Sequence, residues 1–293
     1  MEQSKKALLL GLSAILFWST AAVAFKISLA GMGFADLLFY SSGTAAVILF
    51  AYIWYLGKLT ELASYSAKQY FQSALVSLLN PFGYYLVLLY AYSILPAQIA
   101  QPLNYTWPIM LVLLSVPLLG QKIDARSVVA IFISFSGVLV ISSQGNLLNY
   151  QIDNPTGVLM ATGSSVLWAL FWIFNLKDKR DEVIKLFLNF AFGFVYTGII
   201  IFFFFEFKFP PVKNFMASVY VGFFEMGITF VLWLKALALS TSNVKISNLV
   251  FISPFMSLLF IALILKEEIH ATTLIGLALI ISGIVVQQKK KKV

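Results

Sequence analysis

The sequence of 293 residues has no cysteine and one histidine, and only 11% of its residues are charged. Without cysteine there is no disulfide, no thiol catalysis and no cysteine-ligated metal site. A single histidine, His270, makes no metal site either. The sequence also has no Walker loop, no GxGxxG motif and no cluster of carboxylates, which argues against an ATP-driven pump. We therefore expect no metal and no cofactor.

The residues that are abundant are apolar. They make up 60% of the chain, the mean hydropathy is +0.91, and they occur in runs of about twenty, the length of a membrane-spanning helix. The sequence predicts an all-α integral membrane protein with ten spans. These are residues 8–30, 34–56, 71–93, 96–119, 125–143, 156–176, 184–205, 214–238, 243–264 and 272–288.

A net charge of +8 is typical of proteins that bind nucleic acids, but the positions of these charges along the chain indicate another origin. Most Lys and Arg residues lie near the two termini or in the loops that ten spans put on the same side. The other side holds Lys208, Lys213 and Lys266. This asymmetry predicts a multi-pass protein of the plasma or inner membrane with both termini cytoplasmic, and no nucleic-acid partner.

The chain also contains an internal repeat. The segment 13–26 aligns without a gap with the segment 164–177, so that Ser13, Leu16 and Lys26 match Ser164, Leu167 and Lys177. We predict a first five-helix repeat over 1–143, an external connection over 144–155, and a second repeat over 156–293. An odd number of spans inverts the second repeat relative to the first, which is typical of carriers with a site between the halves.

Three motifs carry a resemblance to a known family. They are Phe17-Trp-Ser-Thr20, Asn104-Tyr-Thr-Trp-Pro108 and Leu119-Gly-Gln-Lys122. With ten spans in two inverted repeats, the chain resembles the EamA branch of the drug/metabolite transporter superfamily, and within it the aromatic amino-acid exporter group. Glu267 matches a family Gly-Glu position in which Lys266 replaces the glycine, and Gln121 is its counterpart in the first half.

The resemblance implies a carrier that moves small metabolites by alternating access, often outward. It also implies a central cavity lined by aromatic residues of spans three, four and six. These are Tyr84, Tyr85, Tyr105, Trp107 and Trp168. Tyr85 stands where the group has a more polar residue, and Glu225 is not part of the group's pattern.

Glu225 is the one carboxylate that we place deep inside a span. An ionised side chain at that depth costs at least about 2.5 kcal/mol, so such residues usually face a cavity and act there. Glu225 fits a proton-coupling site or a counter-charge for a substrate ammonium. The alternative is a protonated side chain that hydrogen-bonds a neighbouring helix.

Span four carries a polar stripe of Gln98, Gln101 and Tyr105, bordered by Asn104. Tyr105 and Trp107 are about 200° apart on an ideal helix, so both line one cavity only if the helix bends or unwinds near Pro108. Asn80-Pro81 in span three and Ser253-Pro254 in span nine predict further breaks, and matching breaks in two halves mark a midplane site. The alternative is hydrogen bonding between packed helices.

Other residues favour structural roles. Phe202 to Phe205 and most tryptophans resemble lipid-facing or interfacial residues. Small residues in spans five and ten, among them Gly137 and Gly276, allow close helix packing. Lys26 and Lys235 lie near span ends, and Lys245 is a minority candidate for binding a substrate carboxylate.

Together these features predict a secondary transporter of small metabolites, with amino acids as the expected cargo and export as the direction implied by the resemblance. The predicted substrate-binding residues are Tyr84, Tyr85, Gln101, Asn104, Tyr105, Trp107, Trp168 and Glu225. The alternative cargoes are a cationic drug-like compound and a nucleotide sugar. A non-transporting membrane enzyme or scaffold is a weaker alternative, because no catalytic constellation is visible. We expect a monomer or weak dimer.

Overall fold

A computed structural model describes residues 2–120, 125–144, 152–206, 208–240, 246 and 248–288. Over these residues the chain is helical and contains no strand. The predicted all-α membrane fold is confirmed. The ten apolar helices are α1 (Glu2–Leu29), α2 (Phe34–Tyr55), α3 (Ala67–Ile94), α4 (Ala97–Leu119), α5 (Ala125–Ser142), α6 (Pro155–Lys177), α7 (Glu182–Phe204), α8 (Val212–Leu239), α9 (Leu249–Leu265) and α10 (Ala271–Gln288).

The first eight helices are long and apolar enough to cross a membrane, and α9 and α10 are shorter apolar helices. A short helix, Leu59–Ala63, lies between α2 and α3. Several features of the sequence analysis lie outside the described residues, namely Gln121, Lys122, Lys245, the stretch 145–151 of the connecting segment and the basic residues at 289–292.

Local sequence signals fix the ends of several helices. Asn154 begins α6 with Pro155 in its first turn, and its side-chain oxygen accepts the backbone N–H of Gly157 at 2.9 Å. Asp181 caps α7 in the same way, on Val183 and Ile184. Side-chain oxygens at such positions satisfy N–H groups that have no partner within the helix.

The two halves pack in a reciprocal pattern. Helix α2 packs on α7, α5 packs on α10, α1 packs on α8 and α9, and α6 packs on α3 and α4. Exchanging each helix with its counterpart five positions later reproduces the same pairs. Such reciprocity is the packing expected of two repeats related by a pseudo-twofold axis.

The contact between α5 and α10 depends on small residues. A Cβ added at Gly137 would lie 2.5 Å from the carbonyl oxygen of Gly276, and one added at Gly276 would lie 2.6 Å from the carbonyl oxygen of Gly137. Ser134 makes the same close approach to Gly283. The predicted packing role of these small residues is confirmed, since the two backbones touch where the glycines meet.

Four helices are interrupted in matching places. In α3, Asn80 has φ −149° and ψ 126° within a π-type segment, Leu78–Gly83, and α8 contains a π-type segment at Val221–Ile228. Helix α4 is broken after Asn104 and resumes at Trp107, and α9 begins as a 3-10 turn before Ser253. The predicted discontinuities in both halves are confirmed.

Candidate functional site

The interrupted helices surround a cavity of about 350 Å³. This volume lies at the lower end of the range for small-molecule sites. Its wall is mainly aromatic, with residues from α1, α3, α4, α6, α8 and α9. The aromatic lining residues are Trp18, Phe25, Tyr84, Tyr92, Tyr105, Trp107, Trp168, Trp172, Trp233 and Phe251. The polar lining residues among the described part of the chain are Gln101, Asn104 and Glu225, together with the hydroxyls of the tyrosines.

Seven of the eight predicted site residues line this one cavity. They are Tyr84, Gln101, Asn104, Tyr105, Trp107, Trp168 and Glu225. Tyr85 does not line it. Its side chain is fully buried behind the wall.

Glu225 sits in the π-type segment of α8 and is held from behind by Tyr85. The Tyr85 hydroxyl donates a hydrogen bond to Oε1 of Glu225 at 3.1 Å. The second carboxyl oxygen, Oε2, is buried and has no hydrogen-bond partner among the described residues. Thr229, one turn further on, does not reach Glu225, because its hydroxyl donates to the backbone carbonyl of Phe224. Tyr85 therefore orients the carboxyl through Oε1 and leaves Oε2 without a partner among the described residues.

A second hydrogen-bond chain crosses between the two halves. The Tyr84 hydroxyl donates to Oδ1 of Asn104 at 3.0 Å, and Nδ2 of Asn104 donates to Oγ of Ser164 at 2.8 Å. Ser164 in turn donates to the carbonyl of Ala161. Asn104 lies at the end of the first segment of α4, so this chain fixes the amide at the helix break.

An aromatic wall runs from α3 to α6. The ring centroids of Tyr84 and Trp168 are 4.7 Å apart, and those of Trp168 and Trp172 are 6.0 Å apart in an edge-to-face arrangement. Trp168 also contacts Phe230 of α8, with centroids 6.1 Å apart. Offset and edge-to-face pairs of this kind are favourable and orient the rings. The wall is therefore an ordered surface for an apolar group.

The break in α4 explains how Tyr105 and Trp107 share the cavity. On a continuous helix the two side chains would point to different sides. Tyr105 instead ends the segment Ala97–Asn104, and Trp107 begins the next one with Pro108 in its first turn. The condition that the sequence imposes, a bent or unwound helix near Pro108, is met.

The expectation that most tryptophans face lipid is wrong. Five tryptophans line the cavity, and only Trp54, which is 70% exposed, matches the expected environment. Trp172 follows Trp168 by one helical turn, and this spacing predicts a shared face. Trp18 belongs to the Phe17-Trp-Ser-Thr20 motif of α1. The exposed Phe202, Phe203 and Phe204 do match the expected lipid-facing surface.

At one face of the membrane body, hydrogen bonds join the start of α4 to the loop between α9 and α10. The Glu267 carboxylate accepts the backbone N–H groups of Ala97 and Gln98 at the start of α4, at 3.0 and 3.1 Å. The Gln98 side chain donates to the carbonyl of Glu268 at 2.6 Å and accepts the backbone N–H of His270 at 2.9 Å. We call these contacts between the start of α4 and the α9–α10 loop the Glu267 latch.

The cavity extends toward the other face. Leu237, near the end of α8, and Val250, near the start of α9, both line it. Both helix ends lie on the face that carries the termini, because ten spans return the chain to its starting side. Ala97 and Gln98, by contrast, are buried within the latch. The described lining residues therefore reach the face that carries the termini and do not include the residues of the latch.

The cavity contains no metal-binding group of residues among those described. Its lining residues, within the described part of the chain, include no Lys, Arg or His, and Glu225 is the one carboxyl. Gln98, which the sequence assigns to the same polar stripe as Gln101, belongs to the latch and not to the cavity. The arrangement is suited to binding a small molecule with an apolar body and a polar or cationic end.

Comparison with known proteins matches this chain to a family of transporters. Residues 5–143 and 155–287 each match the EamA-like transporter family. An uncharacterized transporter of Archaeoglobus fulgidus is 25% identical over 98% of this chain and 99% of its own length. The aromatic amino acid exporter YddG of Ancylobacter novellus is 23% identical over 94% of this chain and 95% of its own length.

A third relative is the uncharacterized transporter YvbV of Bacillus subtilis. It is 24% identical over 68% of this chain, and the match spans 65% of the length of YvbV, slightly under two thirds. A solved structure described only as the crystal structure of a protein superimposes with a TM-score of 0.67 at 20% identity, over 97% of this chain and 96% of that one, which supports the fold. These relatives are named as transporters and not as enzymes. The chain belongs to the EamA-like transporter family, which lies within the drug/metabolite transporter superfamily.

Proposed function

We propose that this protein exports amino acids across the plasma or inner membrane by alternating access, with both termini in the cytoplasm. The observation that carries the proposal is the cavity itself, in which aromatic rings surround one carboxyl and two amides. An amino acid with an apolar side chain has matching parts. The relative named as an aromatic amino acid exporter supports the same cargo class. The outward direction follows the family resemblance.

Within this proposal the aromatic wall and the polar groups have separate roles. Tyr84, Tyr105, Trp107 and Trp168 hold the apolar part of the cargo. Gln101 and Asn104 hydrogen-bond its polar atoms, and Glu225 meets its ammonium group. Tyr85, behind the wall, positions the Glu225 carboxyl and does not touch the cargo.

Glu225 also supplies a basis for proton coupling. A buried carboxylate without a counter-charge is costly, so one positive charge should accompany it in each state. In the empty carrier that charge is a proton on the carboxyl group. When an ammonium binds, the proton leaves to water and the ammonium pairs with the carboxylate. For a cargo whose net charge is +1, one proton is exchanged for one cation and the net charge of the site is unchanged.

Alternating access would require the Glu267 latch to open while the face that carries the termini closes. We propose that the moving units are the two repeats, 1–143 and 156–293, joined by the external segment 144–155. The reciprocal packing of the halves supports such rocking. We further propose a monomer or weak dimer, since the described cavity is built from the helices of one chain.

Counterflow in proteoliposomes tests the proposal. Labelled tryptophan, phenylalanine, threonine and methionine would be exchanged against the same unlabelled compounds, with wild type beside Glu225→Gln and Trp107→Ala. We expect saturable exchange that either substitution weakens. Trp54→Ala is the matched control, because Trp54 is exposed and outside the cavity. If wild type exchanges none of these compounds in sealed vesicles, the amino-acid proposal is wrong.

A cationic drug-like compound is the second candidate cargo. The observation in its favour is that Glu225 has no Lys or Arg beside it among the described lining residues. The same observation argues against a nucleotide sugar, since phosphates are ordinarily bound by Arg or Lys.

A further inference from the structure

Three residues of the cavity wall each carry a buried polar atom that has no hydrogen-bond partner among the described residues. These atoms are Oε1 of Gln101, Oε2 of Glu225 and Nε1 of Trp172. Gln101 is 7% exposed, so its side chain is largely shielded from solvent. An unpaired buried polar group costs about 1–3 kcal/mol, and native structures contain few of them. Three in one cavity therefore indicate what a ligand has to supply.

The three atoms need different hydrogen-bond partners. The Gln101 oxygen is an acceptor, and so is the Glu225 oxygen once its carboxyl has lost its proton, so both then need N–H or O–H donors from the ligand. The indole N–H of Trp172 can only donate, so it needs an acceptor. A protonated amine offers up to three N–H donors, which suits Gln101 and Glu225 together. A neutral carbonyl or ether oxygen suits Trp172.

The atoms also occupy different parts of the wall. Tyr85, which holds Glu225, contacts Tyr84 with ring centroids 4.7 Å apart, and from Tyr84 the aromatic wall continues through Trp168 to Trp172. A series of ring contacts thus connects Tyr85, which holds the carboxyl, with Trp172, which carries the indole N–H. An apolar body between an ammonium and a hydrogen-bond acceptor would follow this series.

A free carboxylate has no comparable partner in the described wall. No Lys, Arg or His lines it, and the one charge available is the acidic Glu225. Neutral donors alone do not offset the cost of removing a carboxylate from water. A second carboxylate nearby raises that cost through charge repulsion. The site favours a net charge of +1 on its ligand.

We infer that the preferred cargo is a monocationic amine whose ammonium binds Glu225 and Gln101 and whose neutral acceptor binds the indole N–H of Trp172. A free carboxylate on the same molecule lowers its affinity. This inference rests on one part of the proposed function, the role of this cavity as the cargo site, and it does not require that the cargo be an amino acid. It favours amino-acid amides and related amines over the parent amino acids.

Four compounds with one aromatic body separate these features. Phenylalanine has both charges, phenylalaninamide has an ammonium and a neutral acceptor, phenethylamine has the ammonium alone, and 3-phenylpropionate has the carboxylate alone. Binding to the purified full-length protein would be measured by isothermal titration calorimetry. We expect phenylalaninamide to bind about tenfold or more tighter than phenylalanine, given the cost of an unpaired carboxylate. We expect no binding of 3-phenylpropionate.

Two variants test which residue binds each end of the ligand. Trp172→Phe removes the indole N–H and keeps a ring. It should weaken the binding of phenylalaninamide about fivefold, which is the effect of one hydrogen bond, and leave the affinity for phenethylamine unchanged. Glu225→Gln should strongly weaken the binding of both amines. Trp54→Phe on the exposed surface is the control for loss of a tryptophan.

The outcomes distinguish this inference from the proposed function. Equal affinity for phenylalanine and phenylalaninamide would overturn the inference, whereas phenylalanine counterflow would still support amino-acid export. Tight phenylalaninamide binding without any amino-acid counterflow would support the inference and overturn amino-acid export. If none of the four compounds binds, the inference is wrong. If Trp172→Phe weakens the binding of phenethylamine as much as that of phenylalaninamide, the indole acts through packing. The inferred hydrogen bond to Trp172 is then wrong.

Discussion

The carboxylate of Glu267 accepts the backbone N–H of Ala97 at 3.0 Å, so an acidic residue of the second repeat caps a broken helix of the first. The neighbouring N–H of Gln98 binds the same carboxylate. Anionic groups are favoured at helix N-termini, where backbone N–H groups lack partners within the helix. This cap is the centre of the latch that joins α4 of the first repeat to the α9–α10 loop of the second.

We predict that Glu267→Ala increases access to the cavity from the latch face. Losing a helix cap costs about 0.5–2 kcal/mol, which corresponds to an increase of about tenfold in the open population. Because the chain has no cysteine, Ala22→Cys on the cavity wall provides a single labelling site. The rate of reaction with a membrane-impermeant maleimide added to the latch face is the measurement.

Two control variants sharpen this test. Glu267→Gln keeps an acceptor oxygen and carries the residue that the first repeat has at Gln121, so its labelling rate should rise less than that of Glu267→Ala. Glu268→Ala alters an exposed neighbour whose contact with Gln98 is made by the backbone carbonyl. An equal rise in all three variants would mean that the loop, and not the Glu267 cap, sets the closed state.

The second prediction concerns Tyr85. Tyr85→Phe removes the one hydrogen bond that Glu225 receives among the described residues, without opening the wall. A hydrogen bond to a charged group contributes about 1.5–3 kcal/mol, so binding of an ammonium ligand should weaken about tenfold or more. Titration of phenethylamine by calorimetry measures this change.

Tyr90→Phe is the control for Tyr85→Phe. It lies on the same helix and packs on Phe34, with ring centroids 5.3 Å apart, and it does not line the cavity. Its ligand affinity should equal that of wild type. Unchanged affinity in Tyr85→Phe would show that the hydroxyl does not support ligand binding.

The fold could be predicted from sequence because its signals are strong and local. Ten apolar runs, an internal repeat and prolines at matching positions are readable without any coordinates. The break between Tyr105 and Trp107 was likewise foreseeable as a geometric condition, since a regular helix cannot direct both toward one cavity.

The details of the site could not be predicted in the same way, because they depend on contacts between distant segments. Tyr85 and Glu225 are 140 positions apart in sequence, and no periodicity links a hydroxyl on α3 to a carboxyl on α8. Trp172 could have been found from its one-turn spacing to Trp168, but the absence of a partner for its N–H requires knowledge of every neighbouring helix. The cap formed by Glu267 on α4 has the same non-local origin.

The third prediction concerns packing between α5 and α10. Gly137→Ala should lower the melting temperature of the detergent-solubilised protein, because the added Cβ would lie 2.5 Å from a backbone carbonyl oxygen. Overpacking of this kind costs about 1–3 kcal/mol. Gly163→Ala in α6 is the matched control, since a Cβ there has no atom within 4 Å. Its melting temperature should stay the same or rise, because alanine favours a helix by up to about 1 kcal/mol.

The last prediction concerns pH and the loop that precedes α7. Burial disfavours the charged form of Asp181, but the hydrogen bond from Lys58 and the backbone N–H groups of Ile184 and Val183 outweigh it, so the pKa of Asp181 is lowered. A lowered folded pKa means that the unfolded chain binds a proton more readily. The contribution of Asp181 is therefore complete above the unfolded pKa of about 3.9 and is lost as the pH falls through the lower folded value.

Thermal unfolding between pH 7 and pH 2 would measure this contribution, since the loss is expected below the unfolded pKa. Asp181→Asn keeps a capping oxygen but carries no charge, so its melting temperature should lie below that of wild type at pH 7 and converge with it in acid. Glu206→Gln alters a fully exposed ion pair with Lys208 and should follow the wild-type curve. A constant gap between wild type and Asp181→Asn across this range would show that the carboxylate charge does not stabilise the fold. Convergence would mean that the paired carboxylate ties the α2–α3 connection of the first repeat to the start of α7 in the second, on the face opposite the Glu267 latch.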